Sequence, residues 1–130
     1  MVAKPESRLR SKVIKRLREH GGRWIVTHGS QYQEAGVSDV LGCLDGKFWA
    51  LELKTPEKFK RPGHGLTPLQ VEFIKNVRDA GGVAFCVCSV EQVEFLLNDQ
   101  LIYGPVQKTE TRLEELFNGG NKHGQRRPKK

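Results

Sequence analysis

Apolar side chains recur along this chain with a period that switches between four and two, and each switch marks an element. Leu9, Val13 and Leu17 repeat every four residues after Pro5, which suits a first helical position, and Gly21-Gly22 ends the run, so an amphipathic helix is predicted. Glu6 falls on the apolar side of that helix, where it either neutralises the N-terminal dipole or serves a site. Arg8, Arg10, Lys12, Lys15, Arg16 and Arg18 cover the other faces, as a solvated surface or as a phosphate track. Residues 24–27 predict a short strand, and 28–36 a polar loop. Two apolar runs follow, 37–44 and 47–54, joined by Asp45-Gly46, and then a connector over 55–65 rich in breakers and basic groups. Thr67-Pro68-Leu69-Gln70 reads as a helix start with a capping box, and Leu69, Phe73, Ile74 and Val77 as its buried stripe. After Gly81-Gly82, residues 83–88 form a continuous apolar run typical of a buried strand, so strand, helix and strand predict a parallel, right-handed crossover. Residues 89–97 predict a further helix, capped by Ser89 with Gln92. Residues 101–106 suggest an edge strand or extended cover, 109–117 a last short helix, and 118–130 a disordered basic tail. The order αβββαβ gives an α/β fold, a mixed sheet flanked by helices, in one domain over 1–117.

Asp45-Gly46 is the strongest short hairpin signal that a sequence carries. A two-residue turn there pairs Leu44 with Lys47, and counting back sets Cys43 against Phe48, Leu41 against Ala50, and Asp39 against Glu52. Directly opposed residues share a face with Cβ atoms roughly 4.5–5.5 Å apart, and like charges placed so repel. A cation between them is called for. Strand periodicity also puts Lys54 on the face of Glu52, so two carboxylates and an ammonium converge at the open end of the hairpin, as in a divalent-metal site with a built-in lysine. The bland alternative is a surface Glu52–Lys54 pair beside an unrelated turn residue, Asp39. It conflicts with Trp49, Ala50, Leu51 and Leu53, which make the strand apolar on both faces and a charge at its end costly unless it is used. Hard cations such as Mg²⁺ prefer oxygen ligands and keep several waters, so Mg²⁺ is the expected cofactor and Mn²⁺ is expected to substitute. Such an ion makes bound water a nucleophile and stabilises phosphate charge, and Lys54 would orient that water for in-line hydrolysis of a phosphodiester.

Charge changes the picture less. The formal net charge of +7, from 22 Lys and Arg against 15 Asp and Glu, favours a polyanionic partner without choosing DNA over RNA. Cys43, Cys86 and Cys88 lie within apolar runs and read as small buried hydrophobes. With His20, His28, His64 and His123 they supply no zinc spacing. No Gly-rich phosphate loop is present, which argues against nucleotide hydrolysis. No apolar stretch approaches the roughly 20 residues needed to span a bilayer, so a soluble, intracellular protein without a membrane partner is expected.

Ser38-Asp39 followed by Glu52-Leu53-Lys54 resembles the PD-(D/E)XK nuclease motif. More narrowly, the chain resembles a stand-alone VRR-NUC domain of phage or bacterial type, from about Glu6 to about Val93. The resemblance takes in Glu6, Gly21-Gly22, Gly36-Val37-Ser38-Asp39, Glu52-Leu53-Lys54-Thr55-Pro56 and Leu66-Thr67-Pro68-Leu69-Gln70. Ser38 departs from it, standing where the pattern usually has proline, which alters a backbone constraint and removes no ligand. The resemblance implies a restriction-endonuclease-like core. It also implies a metal held by Asp39, Glu52 and the Leu53 carbonyl, with Glu6 assisting directly or through water, and a catalytic set of Asp39, Glu52, Lys54 and Gln70. Gln70 thus has two explanations, as a helix cap and as a group near the metal water. The implied partner is DNA, flap-containing or branched, with four-way junctions the leading candidate. A homodimer in the cytoplasm of a bacterium or a phage-infected host is implied with it. Nucleic-acid contacts are expected from Arg8 and Lys12 on the first helix and from Lys58, Lys60 and Arg61 after the catalytic strand. The competing class is a nucleic-acid-binding module that does not cut, for which carboxylates aimed at phosphates bring no benefit.

Overall fold

The computed structural model describes residues 4–27 and 34–102. The chain divides into two compact units, Met1–Val90 and Glu91–Lys130. In the first, helix α1 (Pro5–His20) leads into strand β1 (Arg23–Val26), and β2 (Val40–Leu44) and β3 (Lys47–Leu53) form the hairpin. One-turn helix α2 (Pro56–Phe59) and a tight turn over Pro62–Gly65 follow, then α3 (Pro68–Asp79) and β4 (Val83–Val87). Helix α4 (Val90–Ile102) belongs, from Glu91 on, to the second unit. Its buried positions include Val93, Leu96 and Leu97.

The strands form one sheet in the order β1-β2-β3-β4. The first three are antiparallel and β4 runs parallel to β3, as a helical crossover through α3 requires. The hairpin register is the one that the turn chemistry predicts, with Leu44 opposite Lys47, Cys43 opposite Phe48 and Leu41 opposite Ala50. Asp45 (φ 54°) and Gly46 (φ 79°) both lie in the left-handed region, the requirement of a two-residue type I′ turn.

Alternation sorts the side chains onto two layers. Ala50, Ala84 and Ile74 of α3 make one small cluster, with Leu41, Leu66, Phe73 and Val77 packed against it. On the other face, Trp24 and Trp49 stand opposite Gly42 from its two neighbouring strands, and their rings meet edge to face with centroids 5.8 Å apart. The indole N–H of Trp24 donates to the Gly21 carbonyl at 2.7 Å, tying the end of α1 to the start of β1. Gly42 leaves the room for this pair, because a Cβ there would overlap the Trp24 ring and lie 2.5 Å from the Arg23 carbonyl oxygen. Gly42→Ala is therefore expected to destabilise the protein by about 1–3 kcal/mol, the usual cost of overpacking, with Trp fluorescence and thermal denaturation as the readout. An unchanged melting temperature and emission spectrum would contradict this packing.

Several sequence expectations are corrected. The connector after β3 is not a plain loop. Thr55 caps α2, its hydroxyl accepting the Lys58 N–H at 3.3 Å, and Phe59 is buried. Leu101 and Ile102 lie in α4 rather than in an edge strand, because the helix continues past Leu97. Cys43 is exposed rather than buried, since the sheet face it shares with Phe48 and Ile25 is uncovered there. The second half of the suggested edge strand, the helix over 109–117 and the tail over 118–130 lie outside the described residues, as does most of the loop after Thr27.

Candidate active site

Where the β2–β3 ladder ends, at Val40 opposite Leu51, the next step of the register sets Asp39 opposite Glu52. The backbone of Asp39 is already committed to β1, its carbonyl accepting the Thr27 N–H at 2.8 Å. Its side chain therefore continues the bonding toward β3, with Oδ2 accepting the Leu53 N–H at 2.8 Å. Thr27 adds a second tie that sequence reading misses. Its hydroxyl lies 2.9 Å from the Ser38 carbonyl oxygen and 3.2 Å from that of Asp39. A threonine one step beyond a strand, on the same face as the acid, is the only signal that could have pointed to it.

Glu52 belongs to the face that α3 covers, and only 4% of it is exposed. One of its oxygens, Oε2, accepts the side-chain N–H of Gln70 at 3.0 Å. The other, Oε1, is buried and has no hydrogen-bond partner. The carboxyl is pushed up to about 8, first by burial and then by the charge and close approach of the Asp39 carboxylate. The Lys54 charge and the Asp39 backbone pull the other way. Two carboxylates can share a hydrogen bond only if one carries a proton. At neutral pH the pair therefore needs a proton or a cation, and acceptors with an orphaned buried oxygen among them are what a hard cation fits. Cys86 stands opposite Glu52 on β4, and its thiol is pushed up to about 12 by burial and by Glu52, so it offers no thiolate to the site.

Gln70 closes the expected capping box and also reaches Glu52. Its Oε1 accepts the Thr67 N–H at 2.9 Å while the Thr67 hydroxyl accepts the Gln70 N–H at 3.2 Å, closing the capping box of α3. The remaining end of the amide is the one that holds Glu52. One side chain thus anchors the start of α3 to the acid on β3. Gln70→Glu keeps the capping acceptor but turns the donor facing Glu52 into a third acceptor. It is expected to leave α3 capped and the fold intact by circular dichroism, and to steepen the loss of thermal stability between pH 5 and 8, because a third acceptor then faces the buried Glu52 carboxyl. An unchanged pH profile would reduce Gln70 to a cap.

The structure does not gather every candidate. Glu6 is exposed and pairs with Lys58, Nζ to Oε2 at 3.5 Å, linking α1 to α2. Among the described residues no group of three or more His, Cys, Asp or Glu side chains converges, so Glu6 does not close a three-acid set with Asp39 and Glu52. Lys54 is half-buried directly after β3, its N–H donating to the Val87 carbonyl at 3.0 Å. Arg8 and Lys12 are exposed on α1, and Lys60 and Arg61 are exposed after α2. A groove of about 600 Å³ between the hairpin turn and α3, walled by Phe48, Leu69, Phe73 and Val77, includes neither carboxylate. The charged rim is thus not the place where pocket volume alone would put a site. No helix among the described residues is long and apolar enough to cross a membrane.

No family model matches this chain, and no curated protein matches it. The resemblance to the VRR-NUC pattern rests on the motif residues themselves.

Proposed function

We propose that this protein is a divalent-metal-dependent endodeoxyribonuclease built on a restriction-endonuclease-like core of the VRR-NUC kind. The observation that carries the reading is the opposed Asp39 and Glu52 pair, with Glu52 Oε1 buried and orphaned and with Lys54 two residues on, directly after the strand. A protein that only binds nucleic acid has no use for a buried acid aimed at a second acid, because both oppose the phosphate charge. The α/β architecture, with three antiparallel strands and a parallel fourth, is compatible with such a core.

Asp39, Glu52 and the Leu53 carbonyl would hold Mg²⁺ or Mn²⁺, as oxygen ligands suited to a hard ion. The ion would acidify water and neutralise phosphate charge during displacement. The chain's own groups do the rest. The Leu53 N–H fixes the Asp39 carboxylate, and Gln70 fixes that of Glu52, so both acids are oriented before any ion arrives. Lys54 orients the attacking water and shares the charge that builds on the phosphate. DNA, branched or four-way, is the proposed substrate. A homodimer is proposed with it, because cutting two strands needs two such sites, in the cytoplasm of a bacterial or phage-infected cell.

The test is incubation of duplex, flap, splayed-arm and four-way-junction DNA with the protein in Mg²⁺ or Mn²⁺, with Asp39→Asn as control and molecular mass measured alongside. Metal-dependent cleavage that is lost in Asp39→Asn supports the reading. Tight binding without cleavage in either metal would instead identify a non-catalytic binding module.

A further inference from the structure

We infer that the segment from Thr55 to Gly65 is a preformed cationic clamp for the nucleic-acid backbone and that His64 is its positioning residue, an inference that rests on the nucleic-acid reading of the adjoining carboxylate site. The segment starts one residue after Lys54. Phe59 is buried at the end of α2, and the His64 ring stacks on it, with centroids 3.9 Å apart and planes within 10°. His64 Nδ1 lies 2.8 Å from the Phe59 carbonyl oxygen, which can only accept, so Nδ1 carries the hydrogen and donates it. The His64 backbone N–H donates to the Arg61 carbonyl at 2.8 Å, and the Leu66 N–H to that of Gly63 at 3.1 Å. Phe59 and His64 therefore bracket Lys60 and Arg61, both exposed, while Lys58 is held to α1 through Glu6.

The backbone argues that this closure is selected for more than filling space. Gly63, His64 and Gly65 follow one another at φ 61°, 59° and 69°. The left-handed region suits glycine and is strained for a residue with a Cβ, although histidine tolerates it better than most. Histidine occupies the middle of three left-handed positions, where glycine would fit without strain, and the ring's stack and hydrogen bond offset that strain. What the ring gains is a fixed path for the two basic residues between the anchor and the latch. Preorganised cations lose less freedom on meeting a phosphate than cations on a mobile loop, so the clamp should act on binding to the backbone rather than on the chemical step.

The experiment measures binding of a labelled DNA duplex in EDTA as a function of salt, then single-turnover cleavage in Mg²⁺ at saturating protein. The proteins are wild type, His64→Gly, His64→Asn, the Lys60→Ala/Arg61→Ala pair, and the pair combined with His64→Gly. Glycine and asparagine both accept the left-handed backbone and delete the stack, so the fold is kept. The clamp predicts that either His64 variant lowers the log–log salt slope by about 1.8, two phosphate contacts at about 0.9 each. It also predicts that the Lys60/Arg61 pair lowers it equally and that the combination lowers it no further. A slope that falls for the Lys60/Arg61 pair but not for His64→Gly would overturn the positioning role, and a slope unchanged in the pair would overturn the clamp. Slopes that change as stated in a protein that cuts no DNA in any metal would remove the nuclease reading and keep the clamp. Cleavage with unchanged slopes would do the reverse.

Discussion

Replacement of Glu52 by Gln is expected to abolish metal-dependent cleavage, by about a thousandfold or more, while the metal-free protein becomes more stable at alkaline pH and still binds DNA. The two outcomes have one cause. Glu52 is buried against Asp39 with one oxygen unpaired, so its carboxyl is pushed up to about 8 from an ordinary 4.5. Between those values the folded protein holds a proton that the unfolded chain has already released. Folding stability is then highest below the ordinary value and is lost as pH rises toward 8. Thermal melts in EDTA should therefore show wild type less stable at pH 8 than at pH 5, and Glu52→Gln should flatten that profile. Mg²⁺ should restore wild type at pH 8, by about 2.7 kcal/mol at roughly 100 times its Kd, and should do little for the variant. A wild-type profile flat from pH 5 to 8, indifferent to Mg²⁺, would remove the carboxylate pair as a cation site.

The second large effect is expected at Lys54. Lys54→Ala should reduce single-turnover cleavage about 10²–10⁴-fold, the range typical of a group that positions or activates the nucleophile, with metal affinity changed only a few fold. The ammonium is half-buried beside Glu52 and is the main influence that holds its carboxyl down. Its removal should move the alkaline loss of stability in EDTA to still higher pH, a shift opposite to the flattening caused by Glu52→Gln. Calorimetric titration of the metal separates the explanations. A variant that fails mainly because it no longer binds the ion would assign Lys54 to building the site and not to the water.

The hairpin and its register were legible in the sequence because their cause is local. Asp45-Gly46 can adopt the two left-handed positions that a short turn requires, and once the turn is set, every pairing back to Asp39 opposite Glu52 follows by counting. The same holds for α1 and α3, where apolar spacing, proline at the first position and the Thr67–Gln70 box are local signals. Burial was less legible. Cys43 sits in an apolar run and reads as core, yet the sheet face around it has no helix above it, and only the path of α3 decides that.

The sequence by itself determined the chemistry at the rim: which acids face each other, which lysine shares their face, and that strand, helix and strand would lay β4 parallel to β3. Tertiary structure decided how those groups are held. The burial of Glu52 depends on α3 covering its face, and its hydrogen bond with Gln70 joins residues 18 apart in the chain. The family resemblance implied Glu6 at the acids, with the helix dipole as the alternative reading, but where a helix side chain ends up depends on how the helix docks, and Glu6 meets Lys58. The stack of His64 on Phe59 was likewise invisible, since a segment dense in glycine and proline reads as a connector until the ring contacts that order it are known. Short-range sterics are written in neighbouring residues, whereas burial, orphaned oxygens and ring stacking arise only when distant segments exclude water together.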